Sequence, residues 1–308
     1  MESRSQLPLI IAAFVAIYVI WGSTYLLNKV AVDELPPFML ASIRFVIAGG
    51  LIFAIAALMG KSLRITKRQL WNSAVLGFLF LSFGNGIVVW ALKFVDSNFA
   101  ALIISAQPLA VMLLMWLLQG QHLRPMSILG VLLGIVGIYL LVSQDNLLQD
   151  EHAWLGIAMI FAALVAWAYG SIFVGNADLP RNYFVNTGYQ MLTGGLMLGL
   201  MSLAFREPWS SPLDWQTDTL WCMLLLIIFG SIVAFTAFNF LLKTVSPEKV
   251  STNTYVNPIV AMLLGSYFLD EPVSLQSIVA AVVLLTGVYF ISTNKTWRQL
   301  VRFRRKGI

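Results

Sequence analysis

Polar and aromatic side chains recur inside the long apolar stretches of this sequence, at spacings that place them on single helix faces. Trp21, Tyr25 and Asn28 stand at i, i+4 and i+7, and Trp167 and Ser171 stand at i and i+4. Other apolar stretches add further members of this set: Asn85, Trp90, Gln107, Tyr169, Asn186, Gln190, Thr193, Thr236, Asn239, Asn253 and Asn257. Hydroxyls, amides and indoles of this kind either replace the hydration shell of a solute or join neighbouring helices by hydrogen bonds.

Two of these amides precede a proline, and the two amide–proline pairs mark an internal repeat. Gln107–Pro108 and Asn257–Pro258 lie 150 residues apart, and the same offset aligns residues 91–139 with 241–289 without a gap. The aligned residues include Leu92, Lys93, Val95, Gly137 and Tyr139 with Leu242, Lys243, Val245, Gly287 and Tyr289. Proline inside a helix donates no backbone hydrogen bond and frees a carbonyl four residues earlier. The pairs therefore predict the midplane of a transporter made of two related halves.

The composition is that of a membrane protein. Hydrophobic residues make up 59% of the chain, charged residues only 11%, and the mean hydropathy is +0.84. The net charge of +5 does not indicate nucleic-acid binding, because the basic residues lie between apolar stretches. Cys222 is the single cysteine, which excludes an internal disulfide, and no metal site or cofactor is predicted. His122 and His152 lie in loops without a serine or cysteine nucleophile at a useful spacing, so we expect no enzymatic activity.

The apolar stretches predict an all-α integral membrane protein with ten transmembrane helices. A span of about 20 residues crosses a bilayer, and ten such spans fit: 9–28, 37–59, 70–91, 98–118, 125–142, 154–174, 183–204, 219–241, 249–269 and 273–293. The polar gap at 143–153 divides the chain into halves of five helices, 9–142 and 154–293, followed by a basic tail at 294–308. Because five is odd, the second half enters the membrane from the opposite side, and the repeats are inverted.

Loop charges give the orientation, since lysine and arginine concentrate on the cytoplasmic side. With both termini in the cytoplasm, the outer segments hold only Lys29, Lys93 and Arg206. The inner segments hold Arg4, Lys61, Arg64, Lys67, Arg68, Arg124, Arg181, Lys243, Lys249, Lys295, Arg298, Arg302, Arg304, Arg305 and Lys306. We therefore expect cytoplasmic N- and C-termini.

Arg44 is the one formal charge well inside a predicted span. It either reaches the outer interface or a helix C-terminus, or anchors a carboxylate or phosphate of a substrate. No aspartate or glutamate lies within any predicted span. Exchange of protons for a cationic drug usually relies on such a carboxylate. We therefore expect a neutral, zwitterionic or anionic substrate, or a different route of coupling.

Several segments resemble the EamA-type exporters of the drug/metabolite transporter superfamily. They are WGSTY at 21–25, PPFMLASIRF at 36–45, GNG at 84–86, the alanine-rich approach to Gln107–Pro108, and SPEKVSTNTYVNPIVAMLLG at 246–265. The resemblance covers residues 9–293 and implies two inverted five-helix EamA repeats that export small metabolites or amphipathic compounds. Such exporters often place a glutamate after the fourth and ninth helices. Glu271 matches in the second repeat, whereas the first has Gln119, Gly120 and Gln121.

Together these features predict a multi-pass exporter of the bacterial inner membrane that works by alternating access, with or without proton coupling. The expected substrate-binding residues are Trp21, Tyr25, Arg44, Asn85, Trp90, Gln107, Trp167, Tyr169, Asn239, Asn253 and Asn257, with Gly22, Pro108, Gly170 and Pro258 as hinges. The G-x-x-x-G spacing of Gly130 and Gly134 favours helix packing within a monomer over a homodimer. The alternatives are a nucleotide-sugar or phosphate-ester antiporter of the same superfamily, and a membrane scaffold or sensor that transports nothing.

Overall fold

The computed structural model describes residues 7–120, 125–143, 152–175, 177–245, 250 and 253–292. Within these ranges the chain forms the ten expected membrane helices. Their bounds are α1 Leu7–Glu34, α2 Pro37–Leu58, α3 Lys67–Ala91, α4a Ser97–Ile104 with α4b Gln107–Gln119, α5 Pro125–Val142, α6 Ala153–Val174, α7 Tyr183–Ala204, α8 in the consecutive segments Thr217–Leu225, Leu226–Val233 and Ala234–Thr244, α9 Asn253–Phe268 and α10 Leu275–Ser292. The basic tail at 294–308 and Gln121 to Arg124 lie outside the described residues.

Six of the described helices are long and apolar enough to cross a membrane: α1, α2, α3, α4, α6 and α8. The helices α5, α9 and α10 are also apolar but shorter within the described ranges. Helix α7 has 22 residues, but Asn186, Thr187, Gln190 and Thr193 make it more polar. A helix of this composition is stable in a bilayer only when its polar face is turned toward protein. Asn186, Thr187 and Gln190 are indeed buried, and Thr193 is half-buried.

Three of the described helices contain π-helical segments, which the sequence pattern did not predict. The segment Gly77–Asn85 lies in α3, and Leu226–Val233 lies at the corresponding place of α8 when the 150-residue offset is applied. A third, Ala16–Ile20, lies in α1. A π segment widens the helix by a residue and is often found at functional sites. Its repetition in both halves is consistent with a duplicated architecture.

The two amide–proline pairs have different local structures. The fourth span was predicted as one helix, but it is interrupted at Ser105 and Ala106, and α4b starts at Gln107 with Pro108 in its first turn. Proline is tolerated in a first turn because no helical partner exists there for its missing N–H. Pro258, by contrast, lies inside the continuous helix α9. The two predicted hinge prolines therefore differ: Pro108 follows a break in the fourth span, whereas Pro258 lies within a continuous helix.

Helix packing pairs the two halves in a symmetric way. Helix α2 packs against α7 and α5 packs against α10, so each of these pairs joins equivalent helices. Helices α1 and α6 occupy equivalent places in the two halves. Helix α1 packs against α9 and α8, and α6 packs against the equivalent helices α4b and α3. The backbone of the G-x-x-x-G segment lies against α10 of the same chain, where a Cβ atom on Gly287 would meet the Gly130 carbonyl and the Gly134 nitrogen, and Gly134 itself faces Leu109 of α4b. These glycines thus pack within the monomer.

Helices α2 and α7 pack closely at Gly49 but not at the adjacent Gly50, so alanine substitutions at these two positions should change the stability of the protein differently. A Cβ atom on Gly49 would lie 2.9 Å from Cγ and 3.0 Å from the backbone nitrogen of Leu192, whereas one on Gly50 meets nothing within 4 Å. We expect Gly49→Ala to lower the stability by about 1–3 kcal/mol through overpacking. Gly50→Ala should leave it unchanged or raise it by up to about 1 kcal/mol. Thermal unfolding in detergent measures both, and equal shifts would contradict the described contact.

The loops give the molecule two chemically distinct ends. The basic face carries Lys61, Arg64, Lys67, Arg68 and Arg181, in the loops and first turns that lead into α3 and α7. The acidic face, at the other ends of these helices, carries Asp33, Glu34, Asp96, Glu207, Asp214, Asp218, Asp270 and Glu271. The basic face is the one predicted to be cytoplasmic.

Candidate substrate-binding site

Aromatic side chains from both halves meet halfway along the helices. The Trp21 ring of α1 lies 6.4 Å from that of Trp167 in α6, edge to face, and 5.0 Å from that of Phe238 in α8. The Trp167 ring is also 4.9 Å from that of Phe80, within the π segment of α3. Gly84 and Gly170 leave room for these rings, since a Cβ atom on either would collide with Trp167 or Phe80. We call Trp21, Phe80, Trp167, Phe235 and Phe238 the central aromatic cluster.

Arg44 lies beside this cluster and is held by polar side chains of two other helices. Its Nε donates to Ser231 Oγ in α8 at 2.8 Å, and its Nη1 donates to Asn28 Oδ1 in α1 at 3.3 Å. The guanidinium also lies 4.7 Å from the centre of the Phe45 ring. The side chain is only 3% exposed, and no carboxylate of the described residues is among its partners. The alternative that the Arg44 side chain reaches the outer interface is therefore wrong, because the guanidinium points into the bundle.

A glycine of α8 links Arg44 to the aromatic cluster. Trp21 Nε1 donates to the Gly230 carbonyl at 3.3 Å. A Cβ atom on Gly230 would lie 3.1 Å from Nη2 of Arg44 and 2.9 Å from Cγ2 of Thr24. Glycine at this position therefore leaves room for the Arg44 guanidinium and for Thr24 against α8. Gly230 and Ser231 both belong to the π segment of α8.

Amides of α7 and α8 form a buried network near the basic face. Asn239 Nδ2 donates to Thr187 Oγ1 at 2.7 Å and to the Phe235 carbonyl at 3.2 Å, and its Oδ1 accepts from Asn186 Nδ2 at 3.3 Å. Gln190 Nε2 donates to Asn186 Oδ1 at 3.1 Å. These contacts join helices of the second repeat. The predicted site residue Asn239 thus has a structural role that uses both of its amide hydrogens.

Some buried polar atoms lack a hydrogen-bond partner among the described residues: Ser73 Oγ, Asn85 Oδ1, Gln190 Oε1 and Thr236 Oγ1. A buried acceptor without a donor costs about 1–3 kcal/mol. Such atoms are therefore candidates for contact with a solute or with water. Asn85, which ends the π segment of α3, is the predicted site residue among them.

Asn257 joins α9 to the π segment of α1. With its amide nitrogen turned toward them, it lies 3.1 Å from the Ile17 carbonyl, 3.0 Å from that of Tyr18 and 3.2 Å from that of Asn253. A π turn displaces backbone carbonyls from their usual helical partners, and this amide supplies a donor there. Gly22 allows the close approach, because a Cβ atom on it would lie 2.6 Å from Val260 Cβ and 3.1 Å from the Asn257 carbonyl. Asn257 and Gly22, predicted as a binding residue and a hinge, form a helix joint.

Trp90 lies away from the centre, at the acidic face. Its ring is 5.3 Å from that of Phe38 and 5.4 Å from that of Phe205. The three rings line a cavity of about 550 Å³, together with Glu34, Pro36, Pro37, Lys93, Arg206, Glu207, Pro208, Trp209 and Ser210. Trp90 is thus placed at the mouth of the bundle.

The remaining predicted site residues are distributed unevenly. Tyr25 is half-buried in the main core, on the same face of α1 as Trp21. Gln107 is half-buried where α4 breaks, and Asn253 is buried in the first turn of α9. Tyr169 is 44% exposed, and as the second residue after Trp167 it points about 200° away from it. Tyr169 therefore lies outside the contact between Trp21 and Trp167, and its role in substrate binding stays a prediction.

Sequence reasoning missed several residues that complete this site. Phe80, Phe235 and Phe238 are indistinguishable by pattern from lipid-facing phenylalanines, and Gly230 and Ser231 lie in a nearly continuous apolar run. The one available signal for Ser231 was its position near the middle of a span. Within the described part of the chain, no three histidine, cysteine or acidic side chains are grouped to hold a metal ion.

Comparison with known proteins places this architecture in a family. The sequence profile of the EamA-like transporter family matches residues 8–143 and 154–293. The chain is 36% identical, over 293 residues and 93% of each chain, to the protein named "Uncharacterized inner membrane transporter YedA" of Escherichia coli (strain K12). It is 20% identical to "Uncharacterized transporter YoaV" of Bacillus subtilis (strain 168), over 91% of this chain and 95% of that one.

A solved crystal structure shares the fold. It is 20% identical in sequence and superposes with a TM-score of 0.67, covering 98% of this chain and 99% of that chain. The family profile covers both halves, and the first of these relatives is more than 30% identical along almost its whole length. The protein is therefore a multi-pass membrane transporter that belongs to the EamA-like transporter family.

Proposed function

We propose that this transporter exports small amphipathic metabolites, neutral or zwitterionic and amino-acid-like, by alternating access between its two inverted repeats. The basic face lies in the cytoplasm, and the membrane is the inner membrane of a bacterium. The observation that carries the proposal is the position of Arg44. Its guanidinium is buried near the central aromatic cluster, between helices of both repeats, and has no carboxylate partner among the described residues.

The chemistry of Arg44 favours a carboxylate as the group that it binds. A guanidinium has five N–H donors in a planar fork, and the bonds to Ser231 and Asn28 use two of them. A substrate carboxylate would accept remaining donors and neutralise a charge that is otherwise costly to bury. A phosphate ester carries more charge, and Arg44 is the only cation within the described midsection of the bundle. A carboxylate is therefore the better match.

The surrounding groups suit the rest of such a substrate. The rings of Trp21, Trp167 and Phe80 offer apolar faces, and the faces of aromatic rings also attract an ammonium group. Asn85 Oδ1 is an acceptor without a donor, which suits an ammonium N–H. Separation of the repeats at one face and closure at the other would expose these groups to each side of the membrane in turn.

Flux measurements in proteoliposomes test this proposal. Vesicles loaded with amino acids, sugars, phosphate esters and lipophilic dyes are compared with and without an imposed proton gradient. We expect flux of a zwitterionic, aromatic or aliphatic solute and none of sugars. Flux of phosphate esters alone would overturn the choice of substrate class. The absence of flux across the panel would favour a scaffold or sensor instead.

A further inference from the structure

The cavity at the acidic face is walled by aromatic rings from both repeats. The ring centres of Phe38 in α2, Trp90 in α3 and Phe205 after α7 lie 5.3 or 5.4 Å from one another. Trp209 supplies a fourth ring, which its Nε1 holds in place by donating to Ser202 Oγ at 2.9 Å. With a volume of about 550 Å³, the cavity is in the size range of sites for small molecules.

These rings differ from an ordinary aromatic belt at the membrane surface, where tryptophan and tyrosine are spread around the helix ends. Phe38 is only 1% exposed and contacts the rings of Trp90 and Phe205, so the rings form one cluster across the two repeats. Phe205 and Trp209 remain 59% and 51% exposed. They therefore offer uncovered ring surface to a molecule that enters the cavity.

The two glutamates that line the cavity already bind backbone N–H groups. Glu207 accepts from Phe38 at 3.1 Å and from Met39 at 2.8 Å, in the first turn of α2. Glu34 accepts from the N–H of Gln216, just before α8, at 3.0 and 3.2 Å. The positive end of a helix favours a carboxylate at such a place. Both negative charges of the lining are thus partly compensated by the protein itself.

The two cations that line the cavity are not compensated in this way. Lys93, after α3, and Arg206, after α7, are both exposed. Neither side chain has a hydrogen-bond or ion-pair partner among the residues that the structure describes. Their charges are therefore available to a ligand, and the cavity favours an anion although it lies at the acidic face.

Arg206 stands at a backbone position that favours glycine. Its φ of 54° is left-handed. Its N–H donates to the Leu203 carbonyl at 3.0 Å, and the N–H of Glu207 donates to that of Ser202 at 2.9 Å. This pair of bonds commonly ends a helix, and glycine is the usual residue at the left-handed position because it has no Cβ atom. The arginine therefore brings its charge to the cavity at a cost to the backbone.

We propose that this cavity is a second binding site, which takes an amphipathic monocarboxylate with an aromatic body. Lys93 and Arg206 attract the carboxylate, and the rings of Trp90, Phe205 and Trp209 contact the body of the ligand. The two glutamates of the lining repel a doubly charged phosphate more strongly than a singly charged carboxylate. The charges and the rings thus select the same class of ligand.

This site is separate from Arg44. Arg44 follows Phe38 by six residues in α2, which is about 9 Å along the helix axis. The guanidinium contacts α1 and α8, whereas the Phe38 ring contacts Trp90 and Phe205. Because helices of both repeats wall the cavity, a ligand bound there ties the repeats together at the acidic face. Binding itself requires neither the proposed substrate nor alternating access.

Protection of a thiol from labelling locates the bound ligand. Ser210 lines the cavity, so Ser210→Cys in a Cys222→Ser background provides the reporter. Arg44→Gln is added so that the central site does not take up the probe. The probe is 2-naphthoate, and the rate of maleimide labelling of the purified protein is measured in detergent with and without it. Leu213→Cys, at a residue that is 94% exposed at the same face and does not line the cavity, is the control reporter.

We expect 2-naphthoate to slow the labelling of Ser210→Cys and to leave that of Leu213→Cys unchanged. The uncharged analogue 2-naphthalenemethanol should need about five times the concentration for the same protection, because it gains nothing from the two cations. The cationic 2-naphthylmethylamine and the doubly charged 2-naphthyl phosphate should also protect less than 2-naphthoate. Stronger protection by any of these three analogues would overturn the assignment of the ligand class, and equal slowing of both reporters would overturn the site.

Glycine at position 206 removes the guanidinium and suits the backbone. We expect Arg206→Gly to leave the unfolding temperature unchanged or higher, and to raise the concentration of 2-naphthoate for half-maximal protection about fivefold. Asp270→Gly is the matched control: Asp270 has a φ of 52° after α9 and does not line the cavity, so protection should not weaken. Lys93→Gln should act like Arg206→Gly. Protection that is as strong with Arg206→Gly and Lys93→Gln as with the parent would overturn the proposal.

An anionic lipid also joins a negative group to an apolar body, and nanodiscs distinguish it from a soluble carboxylate. Protection of Ser210→Cys by 2-naphthoate should persist in discs of phosphatidylcholine alone and in discs with added phosphatidylglycerol. If phosphatidylglycerol itself protects the thiol and 2-naphthoate adds nothing, the cavity is a lipid site and the proposal is wrong. Normal protection in a protein that shows no flux in proteoliposomes would count against the proposed export and not against this site.

Discussion

Replacement of Arg44 by glutamine is expected to reduce transport at least about 100-fold and to leave the stability of the protein unchanged or slightly higher. The loss of transport follows from the loss of two charge-assisted hydrogen bonds to a substrate carboxylate, each worth about 1.5–3 kcal/mol. The stability should not fall, because burying an unpaired charge is itself unfavourable and the substitution removes that cost. This combination separates a binding role from a structural one.

Initial rates of flux in proteoliposomes and thermal unfolding in detergent provide the two measurements for Arg44→Gln. Arg44→Lys keeps the charge but not the planar fork, so transport should recover only in part. Ser231→Ala, which removes the acceptor of Nε, should lower transport less than Arg44→Gln does. If Arg44→Gln melts at a clearly lower temperature and its flux per folded molecule is normal, Arg44 holds helices together and does not bind substrate.

Replacement of Asn257 by leucine is expected to lower the stability of the protein by about 2 kcal/mol or more. The amide nitrogen faces the carbonyls of Ile17, Tyr18 and Asn253, and interhelical polar contacts in membranes are worth about 0.6–2 kcal/mol each. Leucine would leave displaced carbonyls of the π segment in α1 without a donor, in an environment where water is scarce. We expect a lower unfolding temperature and looser packing of α1 against α9.

The matched control for Asn257 is a substitution on the opposite surface of the same helix. Leu263 is 67% exposed, and Leu263→Ala should change the stability by about 0.5 kcal/mol or less. Thermal unfolding of both variants in one detergent makes the comparison. If Asn257→Leu unfolds at an unchanged temperature but no longer transports, Asn257 does not join α9 to α1. The result would then support a direct contact of Asn257 with the substrate.

The sequence was a reliable guide to the membrane helices, because their determinants are local. The apolar stretches are long enough to span a bilayer, and loop residues separate them, so nine of the predicted spans are single helices of the described structure. The fourth span differs because it is interrupted just before Pro108, which lies in the first turn of the helix that follows. The choice between a broken and a continuous helix at Pro108 and Pro258 depends on neighbours, which a sequence does not reveal.

Site residues were predicted less well, and the reason is geometric. A helical spacing identified Trp21 and Trp167 as inward-facing, but it did not separate Tyr169, which points away from Trp167. The partners of Arg44 come from α1 and α8 and lie 16 and 187 residues away along the chain. The π segment of α8, which contains Gly230 and Ser231, leaves no signature in apolar periodicity.

The sequence by itself determined the class of protein, the family, the duplicated architecture and the residues that bring charge and polarity into the membrane. These properties depend on composition, on span length and on the internal repeat, and each of these is a feature of the linear sequence. Only the tertiary structure decided which polar groups face a solute and which join helices: Arg44 retains unused donors, whereas Asn239 and Asn257 direct their amide hydrogens to neighbouring helices. Hydrogen-bond satisfaction is a property of groups that meet in space.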